Sequence, residues 1–203
     1  MDKIGKEVKA YYDAKITIFG TTPQGVDWNS IESQELRFEM LSKIITSGEH
    51  FSILDYGCGF GSMFGYFEEK FKNFDYLGYD LSDKMIAAAN EKFSNEKAIF
   101  TNQTPNQKVD YVIASGIFNI KLDNTSENWL LYIQNTLTEI NNLAKKGFAF
   151  NILTSYSDFE FMKEYLYYAN PSYIFDFCKK HFSRNVALLH DYDLYEFTIL
   201  VRK

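Results

Sequence analysis

Residues 53–63 read Ile53-Leu-Asp-Tyr-Gly-Cys-Gly-Phe-Gly-Ser-Met63 and place three glycines at alternate positions directly after a short apolar run. Glycine lets a backbone approach a ligand closely, because no Cβ atom stands in the way. A single tight turn between a strand and a helix would need fewer glycines than this stretch contains. The stretch therefore predicts a ligand-binding loop at the carboxyl edge of a sheet, between a first strand and its helix.

The spacing of the glycines separates this loop from two other nucleotide-binding loops. A dinucleotide fingerprint, G-x-G-x-x-G, would need a third glycine where the chain has Ser62, and a P-loop would need G-K-[ST], which the chain lacks. Asp55 stands two residues before the first glycine, and Asp80 follows the next apolar run. A carboxylate at the end of a second strand can accept both hydroxyls of a ribose. A nucleotide-linked oxidoreductase remains a rival hypothesis, to be decided by ligand binding.

The chain around the glycine loop alternates between short apolar runs and helical periodicities, which predicts an α/β fold. We expect a doubly wound, mostly parallel seven-stranded sheet with helices on both faces, an antiparallel C-terminal strand and an N-terminal helical extension. Because the turn at 191–193 is so short, the last two strands should form an antiparallel hairpin. The predicted unit is one domain over 1–203, divided into a helical cap over 1–48 and a Rossmann-like core over 49–203.

The element bounds follow from the same patterns. The extension comprises a helix over 2–19 and a second helix that begins at Ser30 or Ser33 and ends at Gly48. Strands are predicted over 51–56, 74–79, 97–101, 109–114, 147–153, 185–190 and 194–201. Helices are predicted over 60–71, 82–93, 126–145, 158–168 and 171–182.

The composition excludes several classes of protein. The 203 residues carry a formal net charge of -6 and contain no Lys/Arg block, which argues against binding a phosphate backbone. No apolar run approaches the ~18–20 residues of a membrane span, and the first residues do not read as a signal peptide. The two cysteines, Cys58 and Cys178, show no paired metal-ligand spacing, so we expect a reducing, cytoplasmic setting.

Three motifs resemble those of the class I S-adenosylmethionine-dependent methyltransferases, and the resemblance covers essentially the whole chain. The first motif is Leu54-Asp-Tyr-Gly-Cys-Gly-Phe-Gly61, the second is Gly78-Tyr-Asp-Leu-Ser82 followed by Met85-Ile86, and the fourth is Val109-Asp-Tyr-Val-Ile-Ala-Ser115. The C-terminal hairpin is similar to the family's sixth and seventh strands. The resemblance implies S-adenosylmethionine as cofactor and a methyl transfer as the activity.

The resemblance also implies roles for the matching positions. The methionine moiety would lie by Asp55 and by the backbone of the loop at Gly57, Cys58 and Gly59, and Gly61 would also belong to the cofactor-binding residues. Asp80 would hold the ribose, Leu81 and Met85 would flank the adenine, and Ser115 and Ile117 would line the floor of the cofactor site. Asn102 or Gln103 takes the place where the family often has an acid facing the adenine amino group, so this contact departs from the pattern.

The helix before the first motif is similar to that of cyclopropane-synthase-like members, in which a glutamine reaches the cofactor carboxylate. Gln34 and Arg37 share one face of this helix, and a guanidinium is suited to binding a carboxylate. An ordinary solvated polar face explains the pair equally well. Tyr11 and Tyr12 either close over the cofactor or pack the first helix.

S-adenosylmethionine is an activated donor, so the protein need only align the acceptor and exclude water. His190 is the one histidine predicted at the carboxyl end of a strand, and it is a candidate general base or a hydrogen-bonded turn residue. The stretch Ser115-Gly-Ile-Phe118 lacks the Pro-Pro motif of nucleic-acid amino methyltransferases, and no Asp-Asn pair follows the fifth strand. We therefore expect neither a nucleic-acid partner nor a metal.

The predicted reaction is methyl transfer to oxygen or nitrogen of a small metabolite, with a sugar or polysaccharide precursor as one acceptor class. The alternative is a non-catalytic S-adenosylmethionine-binding module that works through protein partners. We expect no membrane partner and a monomer or homodimer. Ten aromatic residues within 156–182 either line an acceptor pocket or pack the core.

Overall fold

The computed structural model describes residues 2–28, 30–46, 50–93 and 97–203. Within these ranges the sheet has seven strands, in good agreement with the sequence pattern. They are β1 (Phe51–Tyr56), β2 (Phe74–Tyr79), β3 (Ala98–Thr101), β4 (Val109–Ala114), β5 (Ala144–Leu153), β6 (Asn185–Leu189) and β7 (Glu196–Arg202).

Six α-helices accompany the strands in the described part of the chain. They are α1 (Lys3–Phe19), α2 (Ile31–Ser42), α3 (Ser62–Lys70), α4 (Asp83–Lys92), α5 (Ser126–Leu143) and α6 (Pro171–His181). Two short 3-10 turns cover Pro23–Val26 and Phe159–Phe161. No helix among the described residues combines the length and the apolar character that crossing a bilayer requires.

Side-chain caps fix where several helices begin. The Ser30 hydroxyl accepts a hydrogen bond from the Ser33 N–H at 3.2 Å, so Ser30 rather than Ser33 is the N-cap of α2. The Ser82 hydroxyl caps α4 in the same way by accepting from the Met85 N–H at 3.1 Å. This cap places the start of α4 directly after the end of β2, where a ligand site is expected.

The strand order is β3-β2-β1-β4-β5-β7-β6, which confirms the predicted fold class. β3, β2, β1, β4 and β5 run parallel, whereas β7 is antiparallel to both of its neighbours, β5 and β6. The chain leaves β1 toward β2 on one side and returns to β4 on the other. This reversal is the topological switch point at which open α/β sheets bind ligands.

Two hydrophobic layers enclose the sheet. One layer joins α5 and α6 to one face and centres on Trp129, which is fully buried with Phe148 and Phe150. The other layer joins α2 and α3 to the opposite face and contains Leu41 and Phe64. Because both faces are covered, most residues of the central strands are apolar.

Several predicted elements differ from the structure in their existence or their bounds. The helix predicted over 158–168 is wrong, since only Phe159–Phe161 forms a 3-10 turn. α2 ends at Ser42 with Lys43 as its C-cap, and the predicted end at Gly48, like the 48/49 domain boundary, lies outside the described residues. α5 ends at Leu143 and β5 begins at Ala144, earlier than predicted.

The physical reason for the missing helix is tertiary pairing. The N–H groups of Lys121 and Leu122 both donate to the Tyr165 carbonyl, each at 3.0 Å. The Ala169 N–H donates to the Leu153 carbonyl at 2.8 Å. These bonds hold the segment extended along the carboxyl ends of β4 and β5 and leave its backbone groups unable to form a helix.

Candidate functional site

The glycine loop is tied to the ends of β2 and β4. The N–H groups of Gly57 and Cys58 donate to the Tyr79 carbonyl at 2.7 and 2.9 Å. Gly57 has φ +86°, and a Cβ atom there would lie 2.3 Å from Cγ2 of Ile117. Only glycine therefore fits where the loop passes the residues that follow β4.

Asp80 presents a carboxylate whose position is fixed by backbone donors. The Gly59 N–H donates to its Oδ2 at 2.9 Å, and the Ser82 N–H donates to its Oδ1 at 2.8 Å. Burial raises the pKa of Asp80 to about 6, while these two hydrogen bonds act in the opposite direction. Each oxygen keeps further acceptor capacity, which two ligand hydroxyls could use.

Two buried polar atoms beside the loop have no partner among the described residues. They are Oδ1 of Asp55 and Oγ of Ser115. The other Asp55 oxygen accepts a hydrogen bond from the Tyr76 hydroxyl. Burial, aided by the negative charge of Asp80, raises the pKa of Asp55 to about 7. Buried polar atoms are nearly always satisfied, so both atoms are suited to a polar or cationic ligand.

These groups line one cavity, called the first cavity here, at the β1/β4 switch point. Ten of the predicted site residues line it, namely Gln34, Asp55, Gly57, Cys58, Gly59, Asp80, Leu81, Met85, Ser115 and Ile117. Gly61 is not among the lining residues and is the N-cap of α3. α1 adds Val8, Lys9 and Tyr12 to the wall, so the N-terminal extension covers the site.

Besides Gly61, three predicted site residues lie outside the first cavity. Arg37 donates from Nε to Oε2 of Glu196 at 2.8 Å, and its guanidinium belongs to a different cavity. Asn102 is exposed, and its amide donates to the carboxylate of Asp83. His190 is exposed, with its ring 5.9 Å from those of Tyr156 and Phe197.

Neither Asn102 nor His190 is among the residues that line the two cavities. The carboxylate partner of Arg37 is a residue of the chain itself. The structure therefore gives no geometric support to an adenine contact from Asn102 or to a base role for His190.

A second cavity adjoins the first and shares Tyr12, Val26, Trp28 and Gly116 with it. Its wall is rich in aromatic rings and also carries groups of both charges. Beyond the shared residues it is lined by Asp27, Arg37, Asn119, Ile120, Leu153, Ser157, Phe161, Lys163, Tyr165, Leu166, Tyr168, Asp193, Leu194 and Tyr195. Part of the aromatic segment 156–182 therefore faces this cavity.

The two tyrosines of α1 have different environments. The Tyr11 hydroxyl donates to Oδ2 of Asp27 at 2.9 Å, and Lys15 pairs with Oδ1 of the same carboxylate at 2.6 Å. Tyr12 is directed into both cavities, and burial raises its pKa above the ordinary range, so the phenol stays neutral. Tyr11 thus anchors α1 to the following turn, whereas Tyr12 contributes to the site.

Sequence reasoning missed Trp28 and the pairing of Arg37 with Glu196. Trp28 lies in a turn with no periodicity, so nothing in the sequence marks it as a wall of both cavities. Glu196 begins β7, 159 positions after Arg37, and no local pattern connects the two. The packing of α2 against β5 and β7 brings them together.

Comparisons with known proteins agree with this geometry. A family model described as a methyltransferase domain matches residues 54–147. Rv1506c of Mycobacterium tuberculosis (strain ATCC 25618 / H37Rv), named as a candidate methyltransferase, is 44% identical over 164 residues, which cover 79% of this chain and 98% of Rv1506c.

Solved methyltransferases share the fold at low sequence identity. Magnesium protoporphyrin IX methyltransferase from Synechocystis PCC 6803, crystallised with bound S-adenosylmethionine, is 15% identical with a TM-score of 0.67, over 100% of this chain and 99% of that chain. Human N-acetylserotonin methyltransferase, also in complex with S-adenosylmethionine, is 12% identical with a TM-score of 0.70, over 100% of this chain and 59% of that chain.

Proposed function

The chain belongs to the class I S-adenosylmethionine-dependent methyltransferases, and from that premise we propose that it methylates an oxygen or nitrogen atom of a small metabolite. The observation that carries the proposal is the pair of cavities that meet at Trp28 and Gly116. The first cavity is lined by the glycine loop, Asp55 and Asp80, as a cofactor site would be. The second cavity, lined by aromatic and polar side chains, is suited to an acceptor.

The residues of the first cavity fit S-adenosylmethionine. The unpartnered oxygen of Asp55 suits the ammonium group of the methionine moiety, and the Ser115 hydroxyl offers a further polar contact. Asp80 suits the ribose hydroxyls, since its oxygens are already oriented by backbone N–H groups. Leu81 and Met85 would contact the adenine. When bound, the cofactor supplies an activated methyl group on a sulfonium centre.

The second cavity supports a polyhydroxylated acceptor with apolar ring faces, such as a sugar or polysaccharide precursor. Tyr12, Trp28 and Tyr165 offer flat aromatic surfaces, while Asp27 and Asn119 offer acceptors and donors for hydroxyl groups. Because the donor is pre-activated, holding the acceptor in line with the methyl group and excluding water supplies most of the catalysis. The protein's task is then alignment, for which a general base is optional.

Cofactor binding is tested first, by thermal denaturation with S-adenosylhomocysteine and with NAD(P). We expect stabilisation by S-adenosylhomocysteine alone, since ligands that bind only the folded state raise its stability. Stabilisation by NAD(P) and not by S-adenosylhomocysteine would instead favour the oxidoreductase hypothesis.

Turnover is tested with methyl-labelled S-adenosylmethionine and a panel of monosaccharides, nucleotide sugars and small amines, followed by a metabolite extract. We expect label in a sugar hydroxyl or amino group, and less of it in the control variant Asp80→Ala, whose affinity for the cofactor is reduced. Tight binding of S-adenosylhomocysteine without any labelled product would favour the non-catalytic binding module.

We further propose a cytoplasmic enzyme without a metal or nucleic-acid partner that acts as a monomer or homodimer. Cys58 and Cys178 are buried free thiols, which suits a reducing compartment. The net charge of -6 disfavours binding to a phosphate backbone. Unchanged activity in the presence of a chelator, and a single species in sedimentation, are the expected results.

A further inference from the structure

Five residues form a closed ring of contacts between the two cavities, which we call the partition: Trp28, Arg37, Gly116, Asn151 and Glu196. On one side of the ring, the Gly116 N–H donates to Oδ1 of Asn151 at 2.7 Å. The Asn151 amide in turn donates to Oε1 of Glu196 at 2.8 Å. Asn151 and Glu196 are fully buried and line neither cavity.

On the other side of the ring, Arg37 connects Glu196 to Trp28. Arg37 donates from Nε to Oε2 of Glu196 at 2.8 Å and from Nη1 to the Ser33 carbonyl at 2.7 Å. The guanidinium carbon lies 4.0 Å from the centroid of the Trp28 ring, within the range of a cation–π contact.

Trp28 closes the ring by packing on Gly116. A Cβ atom on Gly116 would lie 2.3 Å from the Trp28 ring, so the indole rests directly on the glycine backbone. Gly116 has φ +73°, which also favours glycine. Both residues line both cavities, as do Tyr12 and Val26, so the indole and this backbone lie where the two spaces meet.

We propose that Trp28 is the specificity-determining wall between cofactor and acceptor, and that Glu196 is a positioning residue that fixes both sides of this wall. Glu196 acts on the Gly116 loop through Asn151 and on Trp28 through Arg37. The inference rests on the proposed function, because it takes the first cavity as the cofactor site and the second as the acceptor site.

The charged character of the partition supports this role. A buried ion pair brings a desolvation cost that apolar side chains of similar volume would avoid. The planar guanidinium, however, holds Glu196 and stacks on the indole at the same time, which neither lysine nor an apolar chain does. The ion pair therefore fixes the orientation of the Trp28 indole. The orientation of the indole in turn limits the size of the acceptor that can reach the methyl group.

The first test uses the accessibility of Trp28 to acrylamide in variants of the full chain. The only other tryptophan, Trp129, is fully buried and donates from Nε1 to the Phe118 carbonyl. The variant Trp28→Phe therefore measures the fluorescence of Trp129 alone, which is subtracted as a constant background. Arg37→Lys retains the charge next to Glu196 but loses the planar stack. We expect a near-normal melting temperature with an increase of about threefold in the quenching constant of Trp28.

The second test separates positioning from stability. Glu196→Gln alone should lower the melting temperature strongly, because the charge of Arg37 stays buried without a partner. The double variant Arg37→Met/Glu196→Gln removes both charges, so we expect it to recover part of the melting temperature while quenching of Trp28 stays elevated and acceptor selectivity broadens.

Wild-type quenching of Trp28 in Arg37→Lys, or wild-type quenching and selectivity in a recovered double variant, would overturn the proposal and leave the pair a purely structural feature. These outcomes differ from a failure of the proposed function, in which the wild-type protein would not bind S-adenosylhomocysteine at all. Should the double variant not recover, the result for Arg37→Lys alone decides.

Discussion

At the scale of single residues, Asp55 and Asp80 occupy one cavity but are prepared for different partners. Asp80 receives a backbone N–H on each oxygen, so its orientation is set before any ligand arrives. Asp55 has one oxygen bonded to Tyr76 and one without a partner. A preorganised carboxylate suits neutral hydroxyls, whereas an incompletely satisfied buried carboxylate suits a cation.

Asp80→Ala should weaken binding of S-adenosylhomocysteine by about 1–2 kcal/mol, because the ribose hydroxyls lose their acceptors in a buried site. Isothermal titration calorimetry measures the change directly. Asp80→Asn is the matched control, since its amide oxygen retains one acceptor and an intermediate loss is expected. Unchanged affinity in Asp80→Ala would remove the ribose role from this residue.

The raised pKa of Asp55 predicts a pH dependence of stability with a definite sign. The pKa rises from 3.8 to about 7 on folding, chiefly through burial. The folded state therefore holds this proton more tightly than the unfolded state does. The free energy of unfolding of the ligand-free protein should fall as pH rises between about 4 and 7 and level off above that range.

Binding of S-adenosylhomocysteine should show the opposite trend, because its ammonium group pairs with the ionised form of Asp55. Urea denaturation and calorimetry at a series of pH values measure the two effects. Asp80 acts on stability in the same direction up to about pH 6, so the difference between wild type and Asp55→Asn isolates Asp55. Superimposable pH profiles for the two proteins would contradict the assignment.

The sequence predicted the site residues whose position is fixed by the backbone. It did not predict the contacts of side chains that can bond to more than one neighbour. The glycines and Asp80 follow strand ends, and Asp55 is the penultimate residue of β1, so the fold class alone places them. Asn102 also follows a strand, but its amide turns to Asp83 at the start of α4. The partner of such a side chain depends on which neighbour lies closer in the folded structure, and no local sequence pattern reveals this.

At the scale of elements, α1 is attached over the first cavity largely by polar contacts. Asp13 accepts hydrogen bonds from the Ser82 hydroxyl and from Lys9, and Lys9 also pairs with Asp83 at 3.0 Å. Only Gly5 and Ile16 of α1 are buried, while Ile4, Val8 and Tyr12 are partly buried against the core. A cover held by polar groups and little apolar area can open at modest cost, as ligand exchange requires.

Asp13→Ala should therefore speed the release of S-adenosylhomocysteine by roughly tenfold, because it leaves the buried Ser82 hydroxyl without its acceptor and removes one of the two carboxylate partners of Lys9. Stopped-flow displacement measures the rate. Asp176→Ala is a suitable control, since Asp176 forms an exposed pair with Lys180 at 2.6 Å on the remote α6. Equal release rates in wild type and Asp13→Ala would mean that α1 does not limit exit.

The segment after β5 shows where element prediction from periodicity fails. Its aromatic residues recur at helical spacing, yet the backbone of 163–169 bonds to the chain beyond β4 and at the end of β5. The aromatic residues accordingly divide between two roles. Phe161 and Tyr165 line the second cavity, whereas Phe175 and Phe177 on α6 pack against the core. The same residue type serves either role, so composition alone could not distinguish them.

At the scale of the whole molecule, the strand order separates the two ligands along the sheet. The first cavity takes its polar groups from β1, β2 and the residues after β4, whereas the second uses residues after β4 and β5 and before β7. This arrangement follows from alternating strands and helices plus a terminal hairpin, which is why the fold was predictable. Trp28, where the two cavities meet, belongs to the N-terminal extension. The extension is not part of the alternation of strands and helices, so that pattern did not predict the position of Trp28.

This division predicts where ligands should slow amide hydrogen exchange. S-adenosylhomocysteine should protect the glycine loop at 57–62, the start of α4, residues 115–117 and α1, because these segments surround the first cavity. Residues 157–168 and 193–195 should remain unprotected until an acceptor is also present. Exchange measured by mass spectrometry, peptide by peptide, follows both ligands in one experiment.

A bound ligand affects amide exchange in two ways, one uniform across the core and one confined to the segments that it contacts. Any ligand of the folded state slows exchange that occurs through complete unfolding, and that effect is uniform across the core strands. Segments that exchange through local opening respond only where the ligand contacts them. Protection of 157–168 by S-adenosylhomocysteine alone would therefore show that one ligand occupies both cavities, and it would contradict a separate acceptor site.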